Sequence, residues 1–172
     1  MKKILIGLLF MAFLPSKAQI TETAIGGSVM YNFQSSSAGL GLRGYLALGD
    51  FVAIVPKFNY YLPFFAVHEY YLGVDAQLKF NPFDPWHVYV LGNASYHRWM
   101  NYENYMPPLA QLNSFVFEGG AGLMKSYGCV RPFVEGNYDI KWKEVNARIG
   151  LLFFFQDCGG GGKSVCPAYT RL

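Results

Sequence analysis

The chain has almost no surplus of charge once its first residues are set aside. Its 172 residues hold 14 Lys+Arg and 11 Asp+Glu. Three of the cations, Lys2, Lys3 and Lys17, precede residue 19, and no acid does, so residues 19–172 carry 11 of each sign. A neutral body offers no electrostatic footprint for nucleic acid. The chain also lacks an apolar run of the roughly 20 residues a membrane-spanning helix needs. Helical periodicity is missing after residue 18, which excludes a helical bundle and an α/β fold. His68, His87 and His97 are too scattered to argue a metal site, and no cofactor is implied. The run Gly159 to Gly162 before Lys163 and Ser164 lacks the first glycine of a phosphate-binding loop, since Asp157 stands there, so it reads as a flexible linker. Cysteine is sparse, and none directly follows the apolar leader, which excludes a lipoprotein anchor.

What is present begins with that leader. Lys2 and Lys3 precede an apolar run from Ile4 to Leu14, and Ser16-Lys17-Ala18 supplies small residues at a cleavage position. Charge, apolar stretch and small residues stand in secretory order. Residues 1–18 are therefore expected to be a signal peptide, residues 19–155 one domain, and residues 156–172 a Gly/Cys-containing tail.

The rest of the chain alternates. In residues 145–155, Val145, Ala147, Ile149, Leu151, Phe153 and Phe155 form one apolar face. Asn146, Arg148, Gly150, Leu152 and Phe154 form the other, polar in its first half. A period of two with one continuous apolar face is a half-buried strand. The same pattern recurs over residues 24–34, 38–48, 51–61, 68–80, 86–99, 114–125 and 129–140. Asn81 to Pro85 reads as a turn, and Pro56 as a bulge or an edge. Eight strands joined in sequence by short turns predict an all-β, eight-stranded antiparallel up-and-down barrel. Tyr and Phe, at 13 and 15, dominate the aromatics and gather at strand ends, as in the girdles of membrane barrels.

The last strand ends Arg148-x-Gly150-x-x-Phe153-x-Phe155, which resembles the C-terminal signal by which bacterial outer-membrane barrels are assembled. With the leader and the eight alternating segments, the chain is similar to small outer-membrane barrels of the OmpA/OmpX type, and resembles those of the Bacteroidetes. The resemblance implies a transmembrane barrel in the bacterial outer membrane with both termini in the periplasm. Its partners would be outer-membrane lipid and lipopolysaccharide, and the barrel-assembly machinery during biogenesis. The turns at Gly49-Asp50, Asn81 to Pro85 and Ser126 to Gly128 would then be periplasmic, and the loops at residues 62–67 and 100–113 extracellular.

If the apolar face points to lipid, the polar face fills the lumen. It carries Arg43, Lys57, Lys79, Arg131 and Arg148 against Glu69, Asp75, Glu118, Glu135 and Asp139. An eight-stranded interior is just filled by side chains, so these groups are expected to interlock as a charge network rather than line a pore. That favours a non-enzymatic structural or interaction subunit. The alternative is a lipid A-modifying enzyme, a deacylase or acyltransferase, using Ser95 and His97 with Glu69 or Glu118 as the orienting acid. The deacylase His-x-Ser order is reversed here.

Beyond Phe155 a closed barrel is expected to gain nothing in sheet hydrogen bonding, so the tail reads as a possible docking segment for a periplasmic protein. Cys129, Cys158 and Cys166 allow three pairings. Cys158 with Cys166 closes a short glycine-rich loop and is preferred. Cys129 with Cys158 would clamp the tail to the wall.

Overall fold

The computed structural model describes residues 20–62, 68–83, 85–100, 113–125 and 128–158, apart from the side chains of 81–83, 157 and 158. The expected leader and most of the tail lie outside these residues. Eight strands run in chain order: β1 (Ile20–Asn32), β2 (Ser37–Leu48), β3 (Val52–Tyr61), β4 (His68–Phe83), β5 (Trp86–Met100), β6 (Asn113–Lys125), β7 (Val130–Asp139) and β8 (Glu144–Phe154). Each pairs antiparallel with its sequence neighbour, and β8 returns to β1, so the sheet closes on itself. Closure leaves no edge strand to solvent or to another chain. A four-residue helix, α1 (Phe155–Cys158), follows β8.

The period of two assigns the faces. In β7, Arg131, Phe133, Glu135, Asn137 and Asp139 are buried, and every residue between them is exposed. The exposed side chains are apolar around the barrel, among them Ile25, Val29, Leu42, Leu72, Val134 and Ile149. Paired rings stand toward the strand ends. Tyr31 meets Phe33 and Tyr96 meets Phe115 near the distal rim, where the turns after β1 and β7 lie. Phe153 meets Phe155 near the terminal rim, where β1 begins and β8 ends.

The strands depart from expectation in a few places. β1 begins at Ile20, four residues before Ala24, because Glu22 and Thr23 already pair with Ala47 and Leu46 of β2. Residues 81–83, read as turn, belong to β4. The β4–β5 ladder shifts register between Phe80 and Phe83 and closes on Phe83↔Trp86, an irregularity that absorbs the missing donor of Pro82. Pro56 sits on no edge, since the barrel has none. The β2–β3 pairs stop at Arg43↔Lys57 and resume at Leu46↔Ile54, and the proline falls in that gap. Phe155 is the first residue of α1 rather than the last of β8.

The distal turns after β1 and β7 share one construction. Asn32 Oδ1 accepts from the backbone N–H of Gln34 and Ser35 at 2.9 and 3.0 Å. Asp139 Oδ1 accepts from the N–H of Lys141 and Trp142 at 2.8 and 2.9 Å. Each turn then needs a left-handed residue before the next strand, and Ser36 (φ 51°) and Lys143 (φ 56°) supply it. Asn32 Nδ2 donates to Glu144 Oε2 at 2.6 Å and ties one turn to the other.

Candidate functional site

The lumen is the only place where the fold concentrates polar chemistry among the described residues, and it is layered. Nearest the terminal rim an apolar cluster joins Tyr45, Val55, Leu91, Phe133, Leu152 and Phe154. Nearest the distal rim Met30, Tyr61, Tyr71 and Val116 pack with Trp142. Charges fill the space between.

The centre of the middle layer is Glu135. Its carboxylate takes a two-pronged contact from Arg43, Nη1 at 2.6 Å and Nη2 at 2.7 Å. Arg148, directly opposite in the ladder, adds a third contact at 3.2 Å, and Tyr89 donates its hydroxyl at 2.8 Å. Arg43 stands on β2 and Glu135 on β7, so this pair crosses the lumen. A planar fork on a carboxylate is the geometry that best repays desolvation. Beside it Lys57 Nζ reaches Asp75 at 2.8 Å and Glu118 at 3.2 Å, and the second contact spans β3 to β6. Asn93 donates to Asp75 at 2.7 Å. These ion pairs lie in the barrel's middle.

Glycines let bulky lumen side chains lie flat. A Cβ on Gly122 would stand 2.6 Å from Tyr89 Cε2, and one on Gly150 would stand 2.7 Å from Phe133 Cε1. Each ring occupies the room its facing glycine leaves, and Phe133 also carries Arg43 over its face at 4.2 Å.

Other residues singled out from the sequence take different partners. Arg131 pairs with Glu22 at 3.0 Å near the terminal rim and stacks over Phe154 at 3.7 Å. Lys79 lies over Tyr45 at 5.8 Å. Asp139 serves its turn. Glu69 approaches His97 Nε2 at 3.7 Å. Ser95 and His97 face the lumen, but Ser95 donates to Asn93 Oδ1 at 2.9 Å, and the hydroxyl nearest His97 Nδ1 belongs to Ser114 at 3.5 Å. Glu118 is engaged by Lys57. The His97 ring stacks on Tyr71 at 4.3 Å and meets Trp99 and Trp142 edge-on. Of the groups the enzyme alternative would use, Glu69 rather than Glu118 lies near His97, and Ser95 is hydrogen-bonded to Asn93.

Cys129 is disulfide-bonded. With three cysteines, that overturns the preferred Cys158–Cys166 loop, because the partner of Cys129 must be one of those two.

The expectation that nothing beyond Phe155 extends the sheet is also corrected. Gln156 Oε1 accepts from the backbone N–H of Thr23 at 2.8 Å, and its Nε2 donates to Thr23 Oγ1 at 3.0 Å. A side-chain amide thus adds one rung to the β1–β8 seam. Gln34 does the same at the distal end, accepting from the N–H of Val145 at 2.6 Å.

No protein-family model and no curated protein matches the chain. Solved structures do. The N-terminal β-barrel domain of Pseudomonas aeruginosa OprF is 20% identical with a TM-score of 0.60, over 79% of this chain and 98% of that one. A de novo designed transmembrane β-barrel is 12% identical with a TM-score of 0.57, over 80% of this chain and 98% of the design. The chain has the fold of an eight-stranded transmembrane β-barrel. The outer membrane protein Ail of Yersinia pestis, in a phospholipid bilayer nanodisc, is 12% identical with a TM-score of 0.53, over 78% and 99% of the two chains. At these identities the likeness concerns the fold. The design makes the point sharply, since it shares the architecture without any evolved function.

Proposed function

We propose that this chain is a non-enzymatic barrel of the bacterial outer membrane, of the OmpA/OmpX type and Bacteroidetes origin. It serves as a structural or interaction subunit whose lumen is plugged by paired charges. The observation that carries the reading is the inversion of the barrel: apolar side chains outside, and Arg43, Glu135, Arg148, Lys57, Asp75 and Glu118 buried inside. A soluble barrel of this size holds its apolar face inward. The pairs that cross the lumen, Arg43 to Glu135 and Lys57 to Glu118, support a lumen without a conducting path. Function then falls to the outer wall and the rims.

Both termini face the periplasm in this reading, and Arg148, Gly150, Phe153 and Phe155 are read by the assembly machinery. A cysteine placed within residues 101–112 should react with an impermeant maleimide on intact cells, and one after Leu172 should not. Labelling of the C-terminal cysteine would reverse the topology. Two measurements test the function itself. Planar-bilayer recordings should show no steady conductance, and lipid A from cells with and without the protein should have the same mass spectrum. A shifted acyl-chain mass would instead revive the enzyme reading.

A further inference from the structure

The outer wall is not evenly filled. A groove of about 980 Å3 opens on it, at the upper end of the roughly 300–1,000 Å3 of small-ligand sites. Val29, Leu40, Leu42, Phe58, Ile149 and Leu151 wall it, and Gly27 leaves it without a side chain among them. That glycine answers no need of the fold. Its backbone is not left-handed, and a Cβ there would meet only the Gly41 carbonyl oxygen, at an ordinary 3.7 Å. Gly122 and Gly150, by contrast, make room for lumen rings. The outward residues fall in two rows of ladder partners. One is Leu151, Gly27, Leu42 and Phe58, and the other is Ile149, Val29, Leu40 and Tyr60. The second row climbs the wall. Ile149 lies in the middle of β8, whereas Tyr60 is next to last in β3, at the distal rim. The row continues through Tyr70 to Arg98, close to the distal end of β5.

The groove thus leads from carbon in mid-wall to polar groups at the rim. The Tyr60 hydroxyl contacts His68 Nδ1 there, with the two rings 5.9 Å apart. Arg98 is exposed on the same outward face, and among the described residues no carboxylate lies within ion-pair distance of it. Strand spacing puts it roughly 10 Å from Tyr60 across β4. An amphiphile matches this order of groups, with its chain toward the bilayer centre and its head at the interface. A guanidinium is suited to fork a phosphate. We propose that the groove seats one acyl chain of a lipid A molecule, with Arg98 on its phosphate and the Tyr60–His68 pair beside its sugar. The inference rests on the outer-membrane reading, in which the distal rim meets the lipopolysaccharide leaflet. A second barrel presents a convex wall and would bridge the groove, whereas an acyl chain is narrow enough to lie in it.

The test uses the purified protein in non-ionic micelles, where binding no longer depends on which membrane holds the barrel. Native mass spectrometry is run with lipid A and, separately, with dipalmitoyl phosphatidylethanolamine. A one-to-one lipid A adduct is expected, stronger than that of the phospholipid. Equal affinities would give the groove to phospholipids in general and overturn the choice of lipid A. Arg98→Gln should weaken the lipid A adduct about tenfold, the loss of one charge-assisted hydrogen bond. Gly27→Leu fills the groove and should abolish the adduct. Gly92→Leu adds the same side chain at an equally open glycine on β5, across the barrel from β1, and should leave binding unchanged. Leu42→Trp, on an exposed side chain of the groove wall, decides the matter should Gly27→Leu fail to fold. Native affinity in the groove-filling variant, or equal losses in Gly27→Leu and Gly92→Leu, would refute the groove. Native affinity in Arg98→Gln would refute the headgroup contact. A lipid-free dimer that Gly27→Leu abolishes would give the groove to a second copy, and would equally overturn the proposal. Maleimide labelling within residues 101–112 judges the membrane placement separately, so failure here leaves that reading standing.

Discussion

Glu135 shows what a single buried charge does in this lumen. Two guanidinium groups and a phenol converge on it, and its exposure is 2%. Glu135→Ala strands Arg43 and Arg148 without a counter-charge. Breaking a buried pair from one side costs about 3–5 kcal/mol. Urea titration of the barrel refolded in lipid vesicles should show a loss of that size. Glu22→Gln instead removes one carboxylate partner of Arg131, at a site open to water, and should cost under about 1 kcal/mol. Equal losses would mean that the middle layer is solvated after all. Residue types on the inward face were readable from alternation, but their pairing was not. Arg43 and Glu135 stand 92 positions apart and meet only because closure brings β2 and β7 face to face. Tyr89 could not be selected in advance, since a tyrosine on a polar face carries no mark of the carboxylate it will reach. Asp139 counted as a lumen charge by the same alternation, and the turn that follows claimed it.

At the scale of an element, β8 has a packing role that can be separated from its proposed role in assembly. Gly150 belongs to the proposed assembly signal, and it also lies under the ring of Phe133. A Cβ there meets that ring at 2.7 Å, with the backbone of β1 on the other side. Gly150→Ala should therefore slow or destabilise refolding of purified protein into vesicles, where no assembly machinery is present. Normal refolding in vitro with failed insertion in cells would leave recognition as its sole role. The neighbouring seam gives a milder case. Gln156→Ala removes one rung and should cost about 1 kcal/mol, read as a shift in the urea midpoint. The glutamine was invisible as a sheet residue because its contribution comes from a side chain imitating a backbone. The turn at Ser36 offers a gain. Ser36→Gly relieves a left-handed residue and should stabilise by about 1 kcal/mol, measured the same way.

The whole molecule was the most legible scale. Strand number and order followed from a period of two, because closure leaves few other arrangements for eight such segments, whereas the sense of each face came from the terminal signal, the aromatic strand ends and the balanced charges of the polar face. The interior was less legible. Ala53 and Val55 share a face with Lys57, and Leu91 with Asn93, so an apolar band interrupts the polar inward face toward the terminal rim. The second half of β8, with Leu152 and Phe154, carried that hint alone. The outer wall makes a direct prediction. Leu72 is 59% exposed on it, and Leu72→Arg should cost about 2–4 kcal/mol in a bilayer, whereas Leu72→Met should cost little. An unchanged stability for the arginine variant would place water, not lipid, against that face.

The β1–β8 seam also sets a clock. Ala24 pairs with Phe154 and Asn32 with Asn146, so the first strand waits for a partner that is the last strand made. Until residues near 154 are available to pair, seven strands can form only an open sheet with two unsatisfied margins. Such an intermediate invites pairing with any other extended chain. On the export route proposed above, closure of the chain waits for the arrival of its last strand.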